Sequence, residues 1–204
     1  MLRSIFVIVL IMMVLVQVPS SVFAKNAVDR RHENTAGDLQ FSALFGVRSN
    51  SADTNVTKAS VQNQTSWMAG VLGVLPLKYS LAARGGFIYN QRYVDISPTV
   101  QGTVSIQYSY FDVPLTVGYQ FSDLAMIFAG PVLAFNQSKD VSCTHSTTCA
   151  ALDVKSMIIP WQLGVHFLFL PDMGAEISYE YVPGDLSQSV ANMRTLAIGA
   201  FYTF

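Results

Sequence analysis

A chain of 204 residues fits one domain, and a formal net charge of -1 with only 12% charged residues gives no electrostatic basis for binding nucleic acid. The residues are 51% hydrophobic and mean hydropathy is +0.37, which would suit a helical membrane protein if the apolar residues came in long runs. Only the N-terminus has such a run; elsewhere the hydrophobicity is dispersed into alternating segments, the weak hydropathy signature of a β-barrel.

Met1 to Ala24 reads as a signal peptide. Arg3 supplies the positive start, Ile5 to Val18 the apolar stretch, Pro19 to Ser21 the break, and Val22-Phe23-Ala24 a small-residue cleavage site, with cleavage expected after Ala24. An uncleaved anchor helix is the alternative, but the run falls short of the ~20 residues of a membrane span and is interrupted by Gln17. No cysteine follows it, so no lipid attachment is expected there. Lys25 to Gly37 is polar, charged and without period, and is expected to be a flexible periplasmic leader. The barrel is expected from Asp38 to Phe204.

Eight strands follow. Asp38 to Arg48 sets Leu39, Phe41, Ala43, Phe45 and Val47 on one side. Ser49 to Gln64 has no apolar period and reads as an outer loop. Thr65 to Leu75 groups Trp67, Ala69, Val71, Gly73 and Leu75, and Pro76-Leu77-Lys78 reverses the chain. Tyr79 to Gln91 turns Leu81, Ala83, Gly85, Phe87 and Tyr89 outward and Arg84, Gly86 and Asn90 inward. After a second loop, Arg92 to Gly102, the fourth strand spans Thr103 to Gln120, and Phe121-Ser122-Asp123 is the next reversal. Leu124 to about Asn136 is apolar on both faces between Ala125 and Ala129, which leaves its facing open. Gln137 to Asp153 is the third loop. Val154 to Phe169 places Met157, Ile159, Trp161, Leu163, Val165, Phe167 and Phe169 opposite Gln162, Gly164 and His166. A turn at Leu170 to Met173 leads to Gly174–Val182, with Ala175, Ile177, Tyr179 and Tyr181 opposite Glu176, Ser178 and Glu180. Pro183 to Val190 is the last loop and Ala191 to Phe204 the last strand.

The fourth strand carries the argument for a membrane. In YSYFDVPLTVGYQF, Phe111, Val113, Leu115, Val117, Tyr119 and Phe121 share one face, while Asp112, Pro114, Thr116, Gly118 and Gln120 share the other. An apolar outer face ending in aromatics, over a polar inner one, is what a strand of roughly 9–11 tilted residues needs to cross a bilayer. The chain also ends within a strand, which is best explained if that strand closes against the first, since an open edge in lipid leaves N–H and C=O groups unpaired. Long loops alternate with short turns, and an even strand count puts both chain ends on the periplasmic side.

YFDVPLTVGYQF, FAGPVLAFN, LGVHFLFLPDMGAEISYEY and the terminal LAIGAFYTF, in that order, resemble the bacterial outer-membrane β-barrel domain family of small porin-like proteins, similar in shape to the OmpX, OmpA and Opa barrels. The resemblance implies a small barrel in the outer membrane and no particular substrate. The terminal Phe204, with Tyr202 before it, resembles the C-terminal signature that the barrel-assembly machinery reads in that group.

An eight-stranded barrel has a lumen filled by side chains. Arg84, Asp112, His166, Glu176 and Glu180 are expected to face it, as a paired polar network in preference to a proton path or active site. Cys143 and Cys149, alone in an exported chain, are expected to form a disulfide at a loop tip. A metal site at Cys143, His145 and Cys149 would lack a fourth ligand. A serine–histidine enzyme would have to use His32, His145 or His166, and spacing selects no serine for any of them, although Ser156 and Ser178 are available. Glu176 and Glu180 share a face but lie roughly 13 Å apart at ~3.3 Å per residue, too far for a glycosidase pair.

The expectation is therefore a monomeric, non-catalytic, all-β, eight-stranded antiparallel up-and-down barrel, without cofactor or metal, embedded in the outer-membrane bilayer. Its surface loops would meet an extracellular ligand in adhesion or defence, or support envelope integrity. A narrow porin-like channel, a lipid-modifying enzyme dependent on His166, and a soluble lipocalin-like barrel are the alternatives.

Overall fold

The computed structural model describes residues 37–54, 59–98, 104–122, 124–143, 155–186 and 190–204. The expected signal peptide, and the leader up to residue 36, lie outside the described residues. The strands are β1 (Gln40–Thr54), β2 (Ala59–Pro76), β3 (Leu81–Pro98), β4 (Val104–Ser122), β5 (Ala125–Cys143), β6 (Met157–Ile158), β7 (Trp161–Leu168), β8 (Met173–Asp185) and β9 (Val190–Thr203).

From β1 to β5 and from β7 to β9 each strand pairs antiparallel with the next, and β9 returns to β1 with Phe45 opposite Ala200 and Gly46 opposite Gly199. Both β6 and β7 pair with β5, so they form one interrupted strand of the wall. The result is the closed, eight-stranded, antiparallel up-and-down barrel that the alternation predicts.

The barrel is inverted relative to a water-soluble one. Phe41, Phe45, Val47, Val71, Phe87, Leu115, Val117, Leu163, Ile177, Leu196 and Ile198 are exposed on the outside, whereas charged and polar side chains are buried within. A lipid solvent reverses the usual assignment of faces, because outside there is hydrocarbon and inside the polar groups find one another. Aromatic side chains mark the two margins. On β4, Phe111 and Phe121 are ten residues apart, roughly 33 Å of strand at ~3.3 Å per residue, and a tilt near 40° reduces this to about 25 Å of apolar height. The outer margin is reinforced by Trp67 against Tyr89, with ring centroids 5.3 Å apart, and Phe87 against Phe111 at 6.1 Å.

The strands run further outward than the outer-face pattern indicates. The expected loop Ser49–Gln64 is mostly strand, since β1 reaches Thr54 and β2 begins at Ala59. Arg92 to Pro98 belongs to β3, Gln137 to Cys143 to β5, and Pro183 to Asp185 to β8. Above the aromatic margin the outer face meets water and loses its apolar period, yet backbone pairing continues; Tyr93 stands opposite Gln107 and donates its hydroxyl to that amide. The open question in β5 is resolved by packing: Met126, Phe128, Val132 and Ala134 are buried inside, and Ile127 and Phe135 face out. Gly130 lies on the inward side of the same strand, where a Cβ would stand 2.5 Å from the Leu115 carbonyl oxygen. At the turn between β2 and β3, Tyr79 and Ser80 both take φ of 61°, so this hairpin turn is Leu77 to Ser80 and the third strand starts at Leu81.

The sixth strand is not continuous as expected, and the break lies beside a proline of β8. Trp161 pairs with Tyr181, so the next position outward sets Pro160 against Val182, and the one after sets Ile159 against Pro183. A proline has no N–H to give: Pro183 lacks a donor opposite Ile159 on this edge, while Pro160, whose carbonyl accepts from Val132 N, lacks one on the β5 side. Beyond the ends of β6 and β8, Lys155 N donates to Leu186 O at 3.3 Å. The other edge of this segment stays attached, because Val132 N donates to Pro160 O and Asn136 N to Ser156 O, both at 2.8 Å. The amides of Met157 and Ile159, which face the seam, should exchange with deuterium much faster in detergent micelles than those of Gln162 to Phe167. Equal protection would mean that the seam is closed in solution.

Candidate functional site

The lumen is built in layers. Toward the periplasmic end Leu44, Met68, Leu72, Ile88, Ala197 and Phe201 pack together. At the outer end Ile96, Ile106, Tyr108, Tyr110, Ala134, Ile158, Val182, Leu186, Val190 and Met193 form a second apolar cluster that spans the bore. Two groups of charges are buried in the same lumen.

The first group joins four strands. Arg48 of β1 and Arg92 of β3 both contact Asp112 of β4 and Glu180 of β8. Arg92 Nη2 lies 2.9 Å from Asp112 Oδ2 and 3.2 Å from Glu180 Oε2; Arg48 Nη1 is 3.5 Å from Asp112 Oδ2, and Arg48 Nη2 donates to Glu180 Oε2. All four side chains are at most 5% exposed. In the second group Arg84 Nη2 reaches Glu176 Oε2 at 2.5 Å, and His166 Nδ1 stands 3.6 Å from the same oxygen. Aromatic rings complete both groups: Arg84 Cζ lies 4.1 Å from the centre of Phe128, Arg92 Cζ 5.2 Å from that of Tyr110, and His166 stacks on Phe201 with centroids 3.6 Å apart.

Three guanidinium groups and three carboxylates thus balance in the lumen. Charges buried in this way persist only when paired and hydrogen-bonded, and the two carboxylates of the first group are each shared between two arginines. Above them Asn50 donates to Ser66 Oγ at 2.9 Å and accepts from Thr195 Oγ1 at 3.0 Å, and Gln64 donates to Asp95 at 2.6 Å.

Arg84, Asp112, His166, Glu176 and Glu180 all lie on the lumen side, divided between the two groups. Glu176 and Glu180 belong to different groups and do not act as a pair. Arg48 and Arg92 were missed by the sequence reading. Arg92 lies two residues beyond Asn90, which the alternation turns inward, and Arg48 directly follows the outward Val47. Arg92 falls in an expected loop, because the alternation of the third strand's outer face stops being apolar before it; Arg48 lies within the expected first strand, already in phase with its inward face. Ser156 is exposed, and Ser178 is buried opposite Gly164, away from the Glu176 and Phe201 contacts of His166. The Cys143–Cys149 pairing, His32 and His145 fall outside what the described residues fix. Among the described residues no group of three His, Cys, Asp or Glu side chains is placed to hold a metal ion.

No family model matches the sequence, and no curated protein matches it. Solved structures are similar in shape. Ail, the attachment invasion locus protein of Yersinia pestis, is 15% identical over 82% of this chain and 100% of its own, with a TM-score of 0.48. OprG of Pseudomonas aeruginosa is 9% identical over 81% and 95% (TM-score 0.47), and Neisserial surface protein A is 13% identical over 83% and 99% (TM-score 0.47).

The energetic role of the network is open to direct test. Arg84→Met removes the charge facing Glu176 and should destabilise the barrel by about 3–5 kcal/mol, the usual consequence of leaving a buried charge without its partner. Adding Glu176→Gln should recover most of that loss. Urea titration, followed by the gel mobility of unboiled samples, measures both.

Proposed function

We propose that this chain is a non-catalytic outer-membrane protein, exported through a cleaved signal peptide and working at its cell-surface end. The barrel anchors and holds apart four outer hairpin connections, around residues 55–58, 99–103, 144–154 and 187–189, which serve surface interaction such as adhesion or defence, or the integrity of the envelope. The observation that carries this reading is the outer apolar cluster. Ile106, Tyr108, Tyr110, Leu186, Val190 and Met193 are all fully buried, so the bore is filled by side chains where a pore would need its mouth.

The largest connection contains the sequence CTHSTTC, and in this reading a disulfide between Cys143 and Cys149 limits the conformations of its tip. Tyr202 and Phe204 are the residues the assembly machinery reads, and the barrel works as a monomer, as its wall closes on itself from β9 to β1.

Planar-bilayer recording distinguishes this reading from a narrow channel. Purified barrel should add no unitary conductance to the membrane, and discrete channel openings would overturn the filled-lumen reading. In cells, replacing residues 144–152 by a short Gly-Ser linker should leave the gel shift on boiling intact while changing attachment to protein-coated surfaces. A variant that attaches like the parent chain removes this loop from the proposal.

A further inference from the structure

The outer wall is not smooth. On the lipid-facing side of β1 to β4 one row across the strands reads Phe41, Gly73, Gly85, Leu115, each directly paired with the next. Two glycines side by side leave a groove of about 440 Å³, walled by Phe41, Leu75, Phe87 and Leu115 and lined almost wholly by carbon. Its extent along the wall is set by its lining residues: Leu75 is one residue from the end of β2 at the periplasmic turn, while Leu115 lies midway along the membrane-crossing part of β4. The groove therefore opens toward the periplasmic leaflet and reaches the middle of the bilayer.

A fixed concavity facing hydrocarbon loses dispersion contacts unless something of matching shape lies in it. The turn at its lower end says what that would be. Leu77 to Ser80 joins the two strands that bear Gly73 and Gly85, and it carries the exposed Lys78. Among the described residues Lys78 is the cation of the periplasmic turns; Asp172 lies in the turn between β7 and β8. A lysine at this level extends its ammonium to the headgroup region, where phosphate is the complementary charge.

We propose that the groove binds one phospholipid of the periplasmic leaflet, with an acyl chain laid over Gly73 and Gly85 and the phosphate held by Lys78. This goes beyond the surface role above and does not depend on what the outer loops bind. A diacyl lipid fits better than a second barrel on two counts: the groove is no wider than two strands, and a cation is placed at its headgroup end.

Filling the groove tests this without disturbing the wall. A Cβ at Gly85 would have the Pro114 carbonyl oxygen as its neighbour at 3.4 Å, and one at Gly73 would meet Leu39 at 3.4 Å and Phe41 at 3.6 Å, all ordinary contacts. The exported chain is purified from nanodiscs of mixed phosphatidylethanolamine and phosphatidylglycerol, then transferred to detergent and weighed by native mass spectrometry. The parent barrel should retain one phospholipid. Gly73→Leu with Gly85→Leu should lower the retained fraction about tenfold, corresponding to about 1.4 kcal/mol, and Lys78→Glu should lower it in the same direction, with the gel shift on boiling unchanged. Equal retention in the parent and both variants overturns the site. So does a parent dimer that the filled variant loses, because the face would then belong to a second copy. Should the double variant fail to fold, Lys78→Glu, confined to an exposed turn, decides the matter alone.

Discussion

Hydrocarbon offers no hydrogen-bond partner, so a chain that crosses it must satisfy every N–H and C=O from within its own structure. In this protein that condition is met by pairing neighbouring strands and bringing β9 back to β1, with the edge of β6 that faces β8 as the exception. Closure then dictates the rest. It fixes which residues face lipid, creates an enclosed lumen too narrow to stay empty, and leaves the outer ends of the hairpins as the parts that can vary without breaking the wall.

The lumen meets the second requirement in an unusual mixture. Arginines from β1 and β3 meet carboxylates from β4 and β8, so the first charged group ties together strands that are not all neighbours in the wall. Apolar clusters toward either end keep bulk water from these charges, which strengthens each pair and makes the loss of a single partner costly. An interior of this kind is a strut more than a passage, and it directs attention to the outer rim.

The wall departs from uniformity in two places. Pro183 removes a donor from the edge of β8 opposite Ile159, where a seam lies beside β6, while Gly73 and Gly85 remove side chains from facing positions and leave a groove on β2 and β3. One weakens backbone pairing and the other alters only the surface presented to lipid. The difference follows from chemistry: proline acts on the hydrogen-bond ladder, glycine on packing.

Much of this was legible in the chain itself. A period of two that stays apolar on one face from Phe111 to Phe121, over a polar opposite face, suits a strand between lipid and a lumen, and the same alternation along the other segments set the strand count, the faces and the lumen positions of Asp112, Glu176 and Glu180 locally. The outer limits of the strands were not, because above the membrane the outer face is wet and its pattern no longer reports pairing. For that reason Arg92 became visible as a lumen residue only in the closed barrel, whereas Arg48 was already in phase with the inward face of the expected first strand. Which arginine meets which carboxylate, which face of β5 turns inward and that Pro183 falls opposite Ile159 depend on register between strands distant in sequence, and register is a property of the assembled sheet.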